Sequence, residues 1–223
     1  MNRVKAVIFD MDNTLLDFWK FKRAATRAAV DAMAREGLKT SKTRAMKMMF
    51  DIYREKGFEY GEVFEEFMKR TRGKVDYRIV APAIVAYREA RAHVLHSYPD
   101  AAAVLKELKK RGYILMLVTD APRLKAWLRL AMVGLHRAFD DVITRDEKGA
   151  GKKTGLPFRK ALKKLRLKPS QVMVVGDSWS RDMVPAQKLG MQTCLAMYGR
   201  ARPAAGKADY ELKSLKDLLR ICG

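Results

Sequence analysis

Asp10 and Asp12 stand two residues apart in VKAVIFDMDNTLLD (residues 4–17), at the end of an apolar run and just before Thr14. Further along, Thr119 and Asp120 end the apolar run YILMLVTD, and Asp177 and Asp182 lie in GDSWSRD, directly after VMVV. Any one of these reads equally well as a helix cap, because Asp, Ser and Thr side chains accept hydrogen bonds from the first N–H groups of a helix. Asp100 and Ser170 are expected to act in that way. Together they read differently. Carboxylates gathered at one point repel one another unless a cation lies among them. Oxygen donors without a partnering His or Cys suit magnesium better than zinc, and magnesium held by few carboxylates suits phosphate chemistry.

Such a gathering needs a scaffold that ends several strands at one place. Five apolar, β-rich runs occur at 4–10, 113–120, 141–144, 172–177 and 192–197, with helical patterns at 100–111, 122–135, 157–165 and 182–189. Strands alternating with helices predict a parallel sheet covered on both faces, and such sheets bind ligands beyond the carboxyl ends of their strands. A short strand near Tyr210 and a helix over 214–221 close the pattern. Residues 17–96 break it, with four helix-like segments at 18–36, 41–56, 60–72 and 76–95 punctuated by Gly37, Gly57 and Gly73. The fold class expected is α/β: a Rossmann-like parallel sheet core formed by 1–16 and 97–223, with an all-helical cap domain inserted at 17–96.

The 223 residues include 46 basic and 25 acidic ones, a net charge of +21 that favours anionic partners. Residues 17–98 hold 18 of the basic and 11 of the acidic residues, so the excess is spread over both parts rather than gathered in one groove. The densest run, 148–168, has Phe158, Leu162 and Leu165 on one helical stripe and Arg159, Lys160, Lys163 and Lys164 on the other face, which reads as a solvated helix face. It lacks the interleaved aromatics of a single-strand nucleic-acid groove, so nucleic acid is a disfavoured partner. No run approaches the length of a membrane span. No signal-peptide pattern precedes the first strand, and Cys194 and Cys222 are too few for a disulfide framework, so a cytoplasmic protein is expected. Only five Asn and Gln, with many charges, suit a heat-adapted source. Met46, Met48 and Met49 are expected to pack within the helical insert.

In their order and spacing these motifs resemble those of the haloacid dehalogenase-like superfamily. DMDNTLLD is similar to its first motif, VTDAP with Thr119 to its second, GKKTGLPF (151–158) to its third and GDSWSRD to its fourth. The insert after the first motif resembles the branch with a helical cap at that place. The resemblance implies that Asp10 is a nucleophile forming an aspartyl-phosphate and that Asp12 protonates the leaving oxygen and then activates water. It implies that Thr119, Asp120 and the third-motif lysine lie at the phosphate, and that Mg2+ is held by Asp10, the Asp12 carbonyl, Asp177 and Asp182. The activity implied is a magnesium-dependent phosphatase acting on a small phosphorylated metabolite, with a cap that opens to admit it. Two departures stand out. Neither lysine of GKKTGLPF precedes a proline: counting back from Phe158 selects Lys152, which is preferred as the catalytic lysine, while likening KTG to the family pattern selects Lys153, and Asp120 stands where the family often has Asn. Dehalogenases of the family lack the second acid, so Asp12 favours phosphate esters. A phosphomutase, or a basic nucleic-acid-binding regulator on the same fold, are the alternatives.

Overall fold

A computed structural model describes residues 4–145, 151–199 and 206–223, so Lys148 of the basic run lies outside the described residues. The chain forms two compact units, Met1–Asp17 with His96–Gly223, and Phe18–Leu95.

The first unit is built on six parallel strands: β1 (Ala6–Phe9), β2 (Ile114–Val118), β3 (Asp141–Ile143), β4 (Val172–Gly176), β5 (Gln192–Ala196) and β6 (Tyr210–Leu212). Their spatial order is β3-β2-β1-β4-β5-β6. β1 and β4 are buried along their whole length, which is why they read as continuous apolar runs rather than alternating ones. One core of the sheet joins Ile8, Met116 and Val174 to Phe158 and Ala161 of α7 (Leu156–Leu165) and to Met183 and Ala186. On α7, Arg159, Lys163 and Lys164 are exposed, as expected of a solvated face.

Strand order reverses between β1 and β4, and register places the strand ends level there. Phe9 pairs with both Leu117 and Val175, and the Asp10 N–H reaches the Val175 carbonyl at 2.9 Å. The ends of β1, β2 and β4 therefore converge at the crevice where open α/β sheets bind ligands.

The second unit is a bundle of α1 (Phe18–Arg35), α2 (Lys42–Lys56), α3 (Val63–Arg72) and α4 (Tyr77–Val94), whose core includes Met33, Met49, Ile52, Phe67 and Val80. Met49 is buried and Met46 and Met48 pack against that core, the packing role expected of them. Within it, the buried Lys22 ammonium donates to the Phe58 carbonyl at 2.8 Å and to the Tyr87 hydroxyl at 3.1 Å, 3.7 Å above the Tyr53 ring centre. Aromatic faces and fixed acceptors replace part of the water that this charge has lost.

Three expectations about helix starts are corrected. Asp100 precedes α5 (Ala101–Lys110) but makes no side-chain cap; its carboxylate pairs with Lys216 at 2.9 Å, an ionic partner winning over a neutral N–H. Ser170 sits inside a short 3-10 turn, Pro169–Gln171. The helix expected over 182–189 begins earlier, as a π-helical turn, Trp179–Met183, and continues as α8 (Val184–Lys188).

Candidate active site

Asp10 leaves β1 buried, with 4% of its surface exposed. The chain then folds back sharply. Leu15 and Leu16 donate to the Met11 carbonyl at 2.9 and 3.1 Å, and Asn13 takes the left-handed conformation with φ 62°. Asn is among the few residues other than Gly that enter this region readily. The fold-back is clamped from β5's far end, where the Tyr198 hydroxyl donates to the Thr14 carbonyl at 2.7 Å. Gly199 packs so closely that a Cβ there would lie 1.5 Å from the Asn13 carbonyl oxygen.

Opposite, β4 ends at Gly176, Asp177 follows it, and the π-helical turn swings Asp182 back toward the strand end. One extra residue in the turn widens it, and the Met183 N–H reaches the Ser178 carbonyl at 3.4 Å. Single π turns recur at functional sites for this reason. The Asp182 carboxylate fits because residue 176 is glycine: a Cβ at Gly176 would lie 2.5 Å from its Cγ. Its Oδ2 accepts the Ser178 N–H at 3.0 Å.

Burial separates the two candidate lysines. Lys152 opens the 3-10 turn Lys152–Thr154, is 1% exposed, and places Nζ 2.6 Å from both Asp10 Oδ1 and Asp182 Oδ1. Lys153 is exposed. The Asp120 Oδ1 accepts the Lys152 N–H at 2.8 Å, so this acid anchors the turn that presents the lysine. Thr119 is buried, and its Oγ1 accepts the Ala121 N–H at 3.1 Å, which leaves its O–H to donate.

Ligand oxygens of Asp10, Asp177 and Asp182 all lie within 4.8 Å of one another, and all three residues are buried. Burial, with the Asp10 and Asp182 charges, pushes the Asp177 carboxyl up to about 8 against the opposing pull of Arg181 and Lys152. Burial raises Asp182 as well, although Lys152 acts against it. Burial also works to strip Lys152 of its charge, but Asp10 and Asp182 outweigh it and hold the ammonium above the ordinary lysine range. Carboxyls that resist ionisation beside a lysine already in place are short of positive charge. A hard divalent cation with oxygen preference fits this donor set.

Two arginines join the site without having been singled out in the sequence. Arg181 lies 3.8 Å from Asp177 and donates from Nε to Ser178 Oγ at 3.2 Å. Arg129, on α6 (Arg123–Met132), donates from Nη1 to Asp12 Oδ2 at 2.7 Å. A signal existed for Arg129. The buried face of α6 is Ala126, Arg129 and Leu130, a helical i, i+3, i+4 stripe with a charge on it.

A Rossmann-like sheet whose strand-reversal crevice holds buried aspartates around a lysine defines the class, an α/β enzyme with a buried, charged site at its strand ends. The comparisons with known proteins narrow that class. The model of haloacid dehalogenase-like hydrolases matches residues 4–190, and the chain belongs to this family. It is 35% identical, over 98% of its length and 96% of the relative's, to the glyceraldehyde 3-phosphate phosphatase of Methanocaldococcus jannaschii. It is 29% identical, over 99% of its length and 94% of the relative's, to the protein of the same name from Pyrococcus furiosus. Among solved structures it is similar to a HAD phosphatase from Thermococcus onnurineus, with a TM-score of 0.73, 29% identity and 99% of this chain and 98% of that one covered. Among the described residues, no helix is long and apolar enough to cross a membrane.

Proposed function

We propose that this protein is a magnesium-dependent phosphatase that hydrolyses a small phosphorylated metabolite through an aspartyl-phosphate, with glyceraldehyde 3-phosphate as the substrate. The observation that carries the reading is the Lys152 ammonium, 2.6 Å from Asp10 and from Asp182 at the end of β1. It sets a cation against the buried Asp10 carboxylate at the end of β1, where a nucleophile belongs. The substrate is supported by the shared name of the relatives from M. jannaschii and P. furiosus.

In the first step an Asp10 oxygen bonds to phosphorus, the P–O ester bond breaks, and the departing oxygen takes a proton from Asp12. In the second step water attacks phosphorus, its proton returns to Asp12, and the bond from Asp10 to phosphorus breaks to free phosphate and Asp10. Splitting hydrolysis this way replaces one hard step by two easier ones, and proton transfer from a positioned group is typically worth roughly 10²–10⁴ in rate. Lys152 offsets charge on the transferring group, and the Thr119 hydroxyl donates to a phosphoryl oxygen. The metal would be held by Asp10, Asp177, Asp182 and the Asp12 carbonyl, and when bound it supplies positive charge to the phosphoryl oxygens. The helical unit, 18–95, is assigned the selection of substrate. Cys194 and Cys222 are buried free thiols, which favours a reducing cytoplasm as the working compartment.

The test is release of inorganic phosphate from glyceraldehyde 3-phosphate, with magnesium and with chelator, by wild type and Asp10→Asn. Release that needs both the metal and Asp10 is expected. Release that persists in Asp10→Asn, or no release from this or any ester of a broad panel, would overturn the reading. Phosphate that moves to another position of the substrate instead of appearing free would reassign the enzyme as a mutase.

A further inference from the structure

The geometry points to Arg129 as a positioning residue for Asp12, one that aims the proton-transfer carboxylate at the leaving oxygen; the inference rests on the phosphatase reading above. Arg129 is 7% exposed and occupies the core-facing stripe of α6, between Ala126 and Leu130. A guanidinium there is costly unless an anion and good hydrogen bonds meet it. Its Nη1 meets Asp12 Oδ2 at 2.7 Å, across 117 residues of chain. The Asp12 side chain is itself only 20% exposed, so the contact is shielded from solvent.

The ligand cluster among the described residues comprises Asp10, Asp177 and Asp182, while the Asp12 carboxylate is turned to α6. A carboxylate on a short side chain can rotate about two bonds. A charge-assisted hydrogen bond from a donor fixed in a packed helix removes much of that freedom and gives the group one orientation. Arginine suits this task because it keeps its proton throughout. When the ester bond breaks, the proton passes from Asp12 to the departing oxygen, and the carboxylate left behind is the form that Arg129 stabilises.

The consequence depends on the leaving group. An alkoxide leaves badly and needs its proton as the bond breaks, whereas a nitrophenolate leaves readily without one. A residue that only supports the fold would affect both esters alike. A residue that aims Asp12 affects the alkyl ester selectively.

The experiment compares kcat and KM for glyceraldehyde 3-phosphate and for p-nitrophenyl phosphate in wild type, Arg129→Met and Arg129→Lys, with thermal unfolding of each. Methionine keeps an apolar stem in the core, and lysine restores the charge without the planar fork. In Arg129→Met, kcat for the alkyl ester should fall about 10–100-fold, part of what general acid–base assistance supplies. The fall for the nitrophenyl ester should be several times smaller, KM should change little, and Arg129→Lys should recover part of the loss. Equal losses on the two esters, or no loss on either, with wild type active, would overturn this inference and leave the phosphatase reading standing. An inert wild type overturns that reading and the inference with it. Should Arg129→Met fail to fold, Arg129→Lys carries the same comparison, since a misplaced point charge also spreads the two esters apart.

Discussion

Lys152→Met tests the electrostatic centre of the site. The substitution keeps an unbranched stem and removes an ammonium that is 1% exposed and lies 2.6 Å from two carboxylates. Removing one partner of a buried ion pair typically costs about 3–5 kcal/mol, because the other charge is left uncompensated. Here one cation serves Asp10 and Asp182, with Asp177 a third acid beside them, so the upper end of that range applies when the acids are ionised. For a chain of this size roughly 1 kcal/mol moves Tm by about 2–4 °C, so a fall on the order of 10 °C or more is expected at pH 8.5. Asp177 and Asp182 are raised by burial, and without Lys152 they rise further. At pH 5 they therefore hold protons in the variant, and the fall should shrink to a fraction of its value at pH 8.5. Magnesium should recover part of the loss at pH 8.5, since it brings back positive charge. Differential scanning calorimetry at both pH values, with and without the metal, reads all of this. A fall in Tm that is equal at pH 5 and 8.5, or negligible at both, would refute the argument that Lys152 neutralises the cluster.

Two further predictions follow from the same geometry. Asp177 holds its proton to about 8 in the folded protein, whereas an unfolded carboxyl loses it near 4. The folded state therefore binds the extra proton, and metal-free wild type should lose stability relative to Asp177→Asn as pH rises from 5 to 8.5, with magnesium reversing that order at the high end. Thermal unfolding of the two proteins across this range checks it, and parallel Tm curves would count against a strained Asp177. Gly199→Ala would drive a Cβ to 1.5 Å from the Asn13 carbonyl oxygen, a backbone clash that no rotamer relieves. It should cut kcat by at least about tenfold by shifting the fold-back after Asp10, since small misplacements at a reacting centre are expensive; unchanged kinetics would mean that the clamp does not position it.

Much of the fold was legible because its strands are unusually plain. β1 and β4 are buried on both faces, so AVIF and VMVVG are continuous apolar runs, and polar groups can appear only where those strands stop. That is why Asp10 and Asp177 could be read as strand ends, and why the four helices between 18 and 95 stood out as an interruption. Boundaries of helices were less legible. The start of the helix after GDSWSRD was missed because a π turn has no composition of its own; room for the Asp182 carboxylate beside Gly176 selects it.

The amino-acid sequence alone determined the sheet class, the interrupting bundle, and the placing of oxygen-bearing side chains at the strand ends, because hydrophobic period and residue type act locally. Only the tertiary structure decided that Lys152 lies between two aspartates, what Asp120 bonds to and what faces Asp12. Lys152 and Lys153 are neighbours of identical chemistry, and they part only when the Asp120 carboxylate catches the Lys152 N–H and turns one side chain inward. Arg129 reaches Asp12 from 117 residues away because β2 and β1 are register partners and α6 follows β2. Such pairings are products of closure in three dimensions, where the low dielectric of the interior makes a charge seek its partner; a local pattern can mark a charge as buried without naming what it meets.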